Sequence, residues 1–254
     1  MTSHKPGKMR LDQLLVDRGL VSSRPKAQAL ILAGDVLVDD QPSTHAGKAF
    51  SLDVQIRLRN QEIPYVSRGG IKLAAAIKEF SILVTGKVAL DVGASTGGFT
   101  DVLLQAGVQR VHAVDVGHNQ MDWKIRNDPR VKVYEGVNAR DLKPEQIGET
   151  VDLITMDVSF ISVVKILPAL ISIAGADTDW IVLIKPQFEV GREKVGKGGI
   201  VRDEDTRQEA VRAVSQAAET LGLKRLGLIQ SPIEGGKGNI EYLAYWRLHG
   251  LLSD

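Results

Sequence analysis

Four charged side chains stand at the ends of apolar runs, where a buried sheet would turn them into one crevice. Lys72 follows Gly69-Gly70-Ile71 in the first turn of an expected helix. Asp157 follows Leu153-Ile154-Thr155-Met156, Lys185 follows Ile181-Val182-Leu183-Ile184, and Glu241 opens the last apolar run. A cation in the first turn opposes the helix dipole by about 0.3–1 kcal/mol, so Lys72 needs a reason to be there. Each charge alone reads as ordinary surface. Asp157 and Lys185, at the ends of consecutive strands, together point into one site. Two lysines and two carboxylates suit the activation of a weak oxygen nucleophile such as a ribose hydroxyl. A lysine in a low-dielectric site near a second cation can lose its proton and act as base. Left charged, it can instead stabilise a developing alkoxide. The carboxylates would orient the lysines and balance their charge, and no metal is required.

The second chemical feature is the run Ala89-Leu90-Asp91-Val92-Gly93-Ala94-Ser95-Thr96-Gly97-Gly98-Phe99, which reads as strand, glycine turn and helix. Such a turn lets backbone approach a ligand and offers unpaired N–H groups, at the sheet edge where open α/β folds bind ligands. Three kinds of enzyme use it. A nicotinamide dehydrogenase needs glycine where Ser95 stands, and the glycine spacing here is one residue short. A serine hydrolase matches Gly93-Ala94-Ser95-Thr96-Gly97, but it needs a later histidine, and His249 lies beyond the last strand. Its elbow strand should also follow several others, whereas this one is the first. A methyltransferase puts Asp91 near the cofactor's ammonium group and the glycine turn beside its methionine part. Asp115, closing the next strand about 20 residues on, then accepts ribose hydroxyls, unless it only caps a turn. Asn138 can meet adenine or be a plain turn residue.

These residues need a sheet to position them. Strands are expected over 88–92, 111–116, 131–134, 151–156 and 180–184, with helices over 70–80, 99–106, 161–173 and 204–221. Two strands near 226–230 and 241–247 close the chain. Strand–helix alternation implies an α/β domain with a mainly parallel sheet covered on both faces. The last two strands, joined without a helix, should be antiparallel. A small α+β module precedes this. Leu11, Leu14 and Leu15 have helical spacing stopped by Gly19, and Ser22 or Ser23 can cap a helix over 25–32 stopped by Gly34. Strands over 36–38 and 53–58 should be joined by a turn at Asp39 to Gln41. The pattern breaks near 59–66, which divides the chain into 1–62, a linker 63–66, and 67–254.

Composition excludes several classes. The 254 residues contain no cysteine, which removes disulfides, cysteine–zinc sites and thiol nucleophiles. No apolar run reaches the ~18 residues of a spanning helix. The basic start, Met1 to Arg10, leads into no signal-like apolar stretch, so a soluble cytoplasmic protein is expected. Net charge is only +1, but basic residues crowd into 1–34 and 185–202. Those segments can hold phosphates or be plain solvated surface. The loop from Gly191 to Arg202 is expected to be mobile and to close over a substrate.

Taken together, six segments resemble the TlyA family: Ser67-Arg68-Gly69-Gly70-Ile71-Lys72-Leu73, Asp91 to Asp101, Asp157-Val158-Ser159-Phe160-Ile161-Ser162, Lys185-Pro186-Gln187-Phe188-Glu189, Gly196 to Asp203, and Gly238-Asn239-Ile240-Glu241-Tyr242. Its members are ribosomal-RNA 2′-O-methyltransferases with an FtsJ-like catalytic domain, often labelled haemolysins. The resemblance runs nearly end to end, with the motifs in family order. It implies a Rossmann-like class I methyltransferase sheet acting on a cytidine ribose, with the family's Lys-Asp-Lys-Glu tetrad on Lys72, Asp157, Lys185 and Glu241. S-adenosylmethionine would be held by Asp91, Gly93, Ser95, Gly97, Gly98, Phe99, Asp115, Asn138 and Asp157. The N-terminal part resembles the αL-motif (S-four) RNA-binding domain. It implies ribosomal RNA or a ribosomal subunit as partner of a monomer, touched by Arg10, Arg18, Arg24, Lys26, Arg68, Arg192, Lys194 and Lys197. Members with a signalling linker carry Arg-x-Trp-Val there; this chain has Ile63-Pro64-Tyr65-Val66 and departs from that pattern. Two other functions compete. Against a pore-forming haemolysin, the sequence shows no signal, no spanning helix and no barrel-like alternation. An RNA-binding or assembly factor with a vestigial cofactor site would not need the intact tetrad.

Overall fold

A computed structural model describes residues 7–21, 23–39, 41–58 and 63–248. The chain divides into two compact units, Met1–Ile63 and Pro64–Asp254. In the smaller, β1 (Lys8–Arg10) leads into α1 (Leu11–Asp17) and α2 (Arg24–Leu32). Then come β2 (Val36–Val38), β3 (Gln41–Pro42), β4 (Ala49–Ser51) and β5 (Ile56–Leu58). β2 is the centre of an antiparallel sheet β3-β2-β5, and β1 pairs with β4. Leu11, Leu15, Ala27, Ile31 and Val36 form its core.

Three expectations for this unit need correction. The strand over 53–58 reduces to Ile56–Leu58. The Asp39 turn leads to Gln41–Pro42, not to that strand; Pro42 is tolerated because β3 lies at a sheet edge. Periodicity also misses β1 and β4, three-residue strands too short to alternate. Ser23 stands at the start of α2 without a side-chain cap bond. Ser22 and residues 59–62 lie outside the described residues.

The larger unit begins with α3 (Gly69–Glu79), β6 (Val88–Val92), α4 (Gly98–Gln105), β7 (Arg110–Val114), α5 (Trp123–Arg126) and β8 (Val131–Tyr134). It continues with α6 (Pro144–Ile147), β9 (Val151–Met156), α7 (Leu167–Ile171), β10 (Ala174–Ile184) and α8 (Pro186–Glu189). Finally come α9 (Glu204–Thr220), β11 (Leu223–Gln230) and β12 (Tyr242–Leu248). One sheet takes the order β11-β12-β10-β9-β6-β7-β8. β6 to β10 run parallel, and β12 is antiparallel to both β10 and β11, as the sequence leads one to expect. Along β10, Trp180, Val182 and Ile184 join one apolar cluster while Ile181 and Leu183 join the other, so both faces are covered.

The helix expected over 161–173 is broken. Val163–Lys165 makes one 3-10 turn and α7 starts only at Leu167. Pro168 has no N–H to continue a helix and fits only a first turn. The strand order reverses between β6 and β9, and a crevice opens there beyond the strands' carboxyl ends.

Candidate active site

Sheet register determines which charges meet. Val92 pairs with Met156, Met156 with Val182, and Ile184 with Tyr242. Asp157, Lys185 and Glu241 therefore leave the sheet along one edge, and Lys72 reaches them from α3. Lys72 Nζ donates to Glu241 Oε2 at 2.6 Å. Lys185 Nζ lies 2.6 Å from Asp157 Oδ1 and donates to Ser159 Oγ at 2.8 Å. Lys72, Lys185 and Glu241 are 6%, 7% and 2% exposed, so the Lys72–Glu241 pair is cut off from water, while the Lys185–Asp157 pair keeps access through Asp157, whose side chain is 20% exposed. Each cation has one carboxylate to offset the cost of leaving solvent. An ammonium carries three N–H donors. Lys185 directs two at Asp157 and Ser159, and the third has no acceptor among the described residues.

Beside these pairs lies a cleft of about 470 Å³, walled by Gly93, Ser95, Asp115, Gln120 and Asn138 among others. A second lobe of about 210 Å³ leads to Lys185 past Ser67, Gly69, Gly98 and Phe99. Gly93, Ser95, Asp157 and Ser159 border both lobes, whose size suits a small ligand. Gly93 is required twice over: its φ is +81°, and a Cβ would stand 2.5 Å from Asp157 O. Asp115 is both turn cap and cleft wall, since Oδ2 accepts from Ser95 N at 2.8 Å and Oδ1 from Gly117 N at 2.7 Å. Asn138 Oδ1 accepts from Arg140 N at 3.2 Å, while its amide nitrogen has no partner among the described residues. Ser95 Oγ donates to Gln120 Oε1 at 3.2 Å, not to a basic nitrogen. His249, which a hydrolase would use, lies outside the described residues.

Two residues expected at the cofactor do not line the cleft. Gly97 faces Ile125. Asp91 is wholly buried beneath the turn, accepting from Thr100 Oγ1 at 2.6 Å and Thr155 Oγ1 at 3.0 Å. Burial pushes its carboxyl up to about 6, against the pull of those hydroxyls. A carboxyl in the unfolded chain titrates at about 3.9, so between there and pH 6 the unfolded state has lost a proton that the folded state keeps. Raising the pH from 4 to 7 should therefore cost the wild-type chain roughly 2 kcal/mol of stability relative to Asp91→Asn. Urea unfolding of both proteins reads this difference; parallel stability curves would show an ordinary carboxylate.

The basic residues expected at RNA fall into distinct groups. Arg10 and Arg24 converge on buried Asp12, each with a nitrogen at 3.0 Å, and Gln28 Nε2 donates there too. The Arg10 hydrogen bond is the main reason that this carboxyl stays well below the usual range. Arg18 is committed to the fold, donating to Val54 O at 2.6 Å and Leu52 O at 2.7 Å. Lys26 is half-buried in the first turn of α2. Lys194 pairs with Glu209 on α9 at 2.5 Å. Arg68, Arg192 and Lys197 are exposed. Sequence reasoning passes over Ser159, Thr100, Thr155 and Asn239; their hydroxyls and amide acquire roles only from neighbours distant in the chain.

Family models match twice: FtsJ-like methyltransferase over residues 65–248 and S4 domain over residues 9–55. The 16S/23S rRNA (cytidine-2′-O)-methyltransferase TlyA of Mycobacterium tuberculosis is 47% identical over 239 residues, covering 94% of this chain and 89% of that protein. Hemolysin A of Brachyspira hyodysenteriae is 45% identical, covering 94% of this chain and 99% of its own. A solved structure from Streptococcus thermophilus, described as a hemolysin, superposes with a TM-score of 0.75 at 39% identity, over 97% of this chain and 90% of that one.

Proposed function

The chain belongs to the FtsJ-like methyltransferase family, and from that premise we propose that it methylates the 2′-hydroxyl of a cytidine in ribosomal RNA. The observation that carries this reading is the Lys185–Asp157 pair opening onto the same cleft as Asp115, with the Lys72–Glu241 pair buried at the same end of the sheet. The rRNA-methylating relative and the S4 domain support RNA as the substrate. No helix among the described residues is long and apolar enough to cross a membrane. The protein would work in the cytoplasm, where ribosomal RNA is.

The cleft fits S-adenosylmethionine. Gly93 leaves room that a Cβ would fill, and the two lobes share a waist at Gly93 and Ser95. Asp115 would hold the ribose hydroxyls, Asn138 the adenine, and the lobe lined by Ser67, Gly69 and Gly98 the amino-acid part. When bound, the cofactor supplies an electrophilic methyl group on a sulfonium. The chain's residues handle the oxygen. Lys185, aimed by Asp157 and Ser159, would direct its remaining N–H at the 2′-oxygen and stabilise it as charge develops, while the hydroxyl proton passes to water reaching the open side of Asp157. Lys72, held by Glu241, adds a second cation to the field.

Mapping ribose methyls in 16S and 23S ribosomal RNA, with and without this protein, tests the proposal. If no ribose methyl depends on it, the reading is wrong. The cofactor assignment has its own test. Asp115→Ala should weaken S-adenosylhomocysteine by about 1.5–3 kcal/mol, the worth of hydrogen bonds to a charged acceptor. Asp115→Asn, keeping one acceptor, should lose less. Unchanged calorimetric affinity in folded Asp115→Ala would remove Asp115 from the cofactor site.

A further inference from the structure

Two glycine-rich segments carrying lysines lie next to the reaction centre, and one buried side chain joins them. The first, 191–202, follows α8; the second, 231–240, leads into Glu241. In the first, Gly196 and Ile200 form an antiparallel bridge, with Gly198 and Gly199 at φ +82° and +81° between them. In the second, Gly235 N donates to Asn239 O at 2.8 Å. Asn239 is 3% exposed and uses its whole amide between the two segments. Its Oδ1 accepts from Val201 N at 3.1 Å, and its Nδ2 donates to Gly199 O at 2.9 Å and Gly236 O at 3.2 Å. A buried amide satisfied on every side makes a rigid junction.

This junction also touches the catalytic pairs. Gly235 packs so closely on Glu241 that a Cβ would stand 2.0 Å from Oε1. Contacts therefore run from the first segment through Asn239 and Gly235 to the carboxylate that holds Lys72. On the outer side Lys197 and Lys237 are exposed and lack a carboxylate partner among the described residues. Lys237 holds φ +60°, a conformation that lysine adopts only when its surroundings impose it.

We propose that Asn239 is a positioning residue that joins the two segments into one basic surface, on which Lys197 and Lys237 take backbone phosphates of the RNA. The same junction keeps Glu241 on Lys72. The proposal rests on the RNA methyltransferase reading. Phosphate contacts of this kind set the register of a strand without reading its bases.

The test is a double-mutant cycle on the full chain, with unmethylated 30S and 50S subunits as probes. Lys197→Gln together with Lys237→Gln should weaken subunit binding and flatten its salt dependence by up to about two contacts' worth of slope. Asn239→Ala should lower both subunit affinity and the single-turnover rate at saturating subunits by about tenfold, with S-adenosylhomocysteine affinity retained. In the Asn239→Ala background the two lysine changes should have less than half their effect on affinity, because groups that act as a unit are not additive. If Asn239→Ala loses cofactor affinity, Asn239→Asp, which keeps the acceptor for Val201 N, takes its place in the cycle. Additive effects, or a wild-type rate in the Asn239 variant, would overturn the proposal. A wild-type enzyme that methylates neither subunit would count against the RNA reading itself. The junction would still be read by protease cleavage within 191–202, which should quicken in the Asn239 variant; equal cleavage would sink it.

Discussion

Lys185→Ala should lose about 10²–10⁴-fold in single-turnover methyl transfer while still binding cofactor analogue and RNA. The reason is geometric. Lys185 is the cation that Asp157 and Ser159 aim into the lobe bordered by Gly98 and Phe99. Removing it leaves Asp157 with a side chain still 20% exposed, which water can reach, so the fold should survive. Lys185→Arg should not restore the rate. A planar guanidinium is wider than an ammonium, and the site places two acceptors within 2.8 Å of one nitrogen on a side chain only 9% exposed. The decisive measurement is a single turnover with RNA saturating, so that binding cannot mask chemistry. An alanine variant within about threefold of wild type would mean that Lys185 is only a strand-end charge, since a base or electrostatic partner contributes far more.

Lys72→Ala should be costly in a different currency, stability. Glu241 is 2% exposed and its carboxylate has Lys72 as its charged partner at 2.6 Å. Breaking a buried pair by deleting one member costs about 3–5 kcal/mol, a large share of the 5–15 kcal/mol that holds a typical domain. The double change Lys72→Met with Glu241→Gln should recover most of that loss, because a neutral, filled site avoids burying an unpaired charge. It should not recover methyl transfer. Urea unfolding followed by tryptophan fluorescence can show this, since Trp123, Trp180 and Trp246 all lie in the larger unit. A Lys72→Ala loss below about 1 kcal/mol would contradict the buried pair, being the size expected of an exposed one. Recovered activity in the double variant would contradict a catalytic role for the pair.

By itself the sequence determined the strand–helix alternation of the larger unit, the antiparallel final strand and the positions of the four charges. These are local properties. An apolar run of five or six residues bounded by turns marks a strand, and a charge directly after it marks the strand's end. The same local logic fails where a single residue overrides the pattern, as Pro168 does in the apolar run over 161–173.

Only the tertiary structure decided which carboxylate each lysine meets. Lys72 and Glu241 are 169 residues apart, and they pair because β12 enters the sheet between β10 and β11 and brings Glu241 beside Lys185's strand. The structure also withdrew Asp91 from the cleft wall, since Thr100 of α4 and Thr155 of β9 close over it. It sorted the basic residues in the same way: Arg18 is committed to backbone carbonyls and Lys194 to a surface pair with Glu209, while Lys197 and Lys237 are exposed without a carboxylate partner among the described residues. Charge and hydrophobic period are written residue by residue. Ion pairing depends on distances of a few ångströms between segments far apart in the chain, and only the packed sheet sets those.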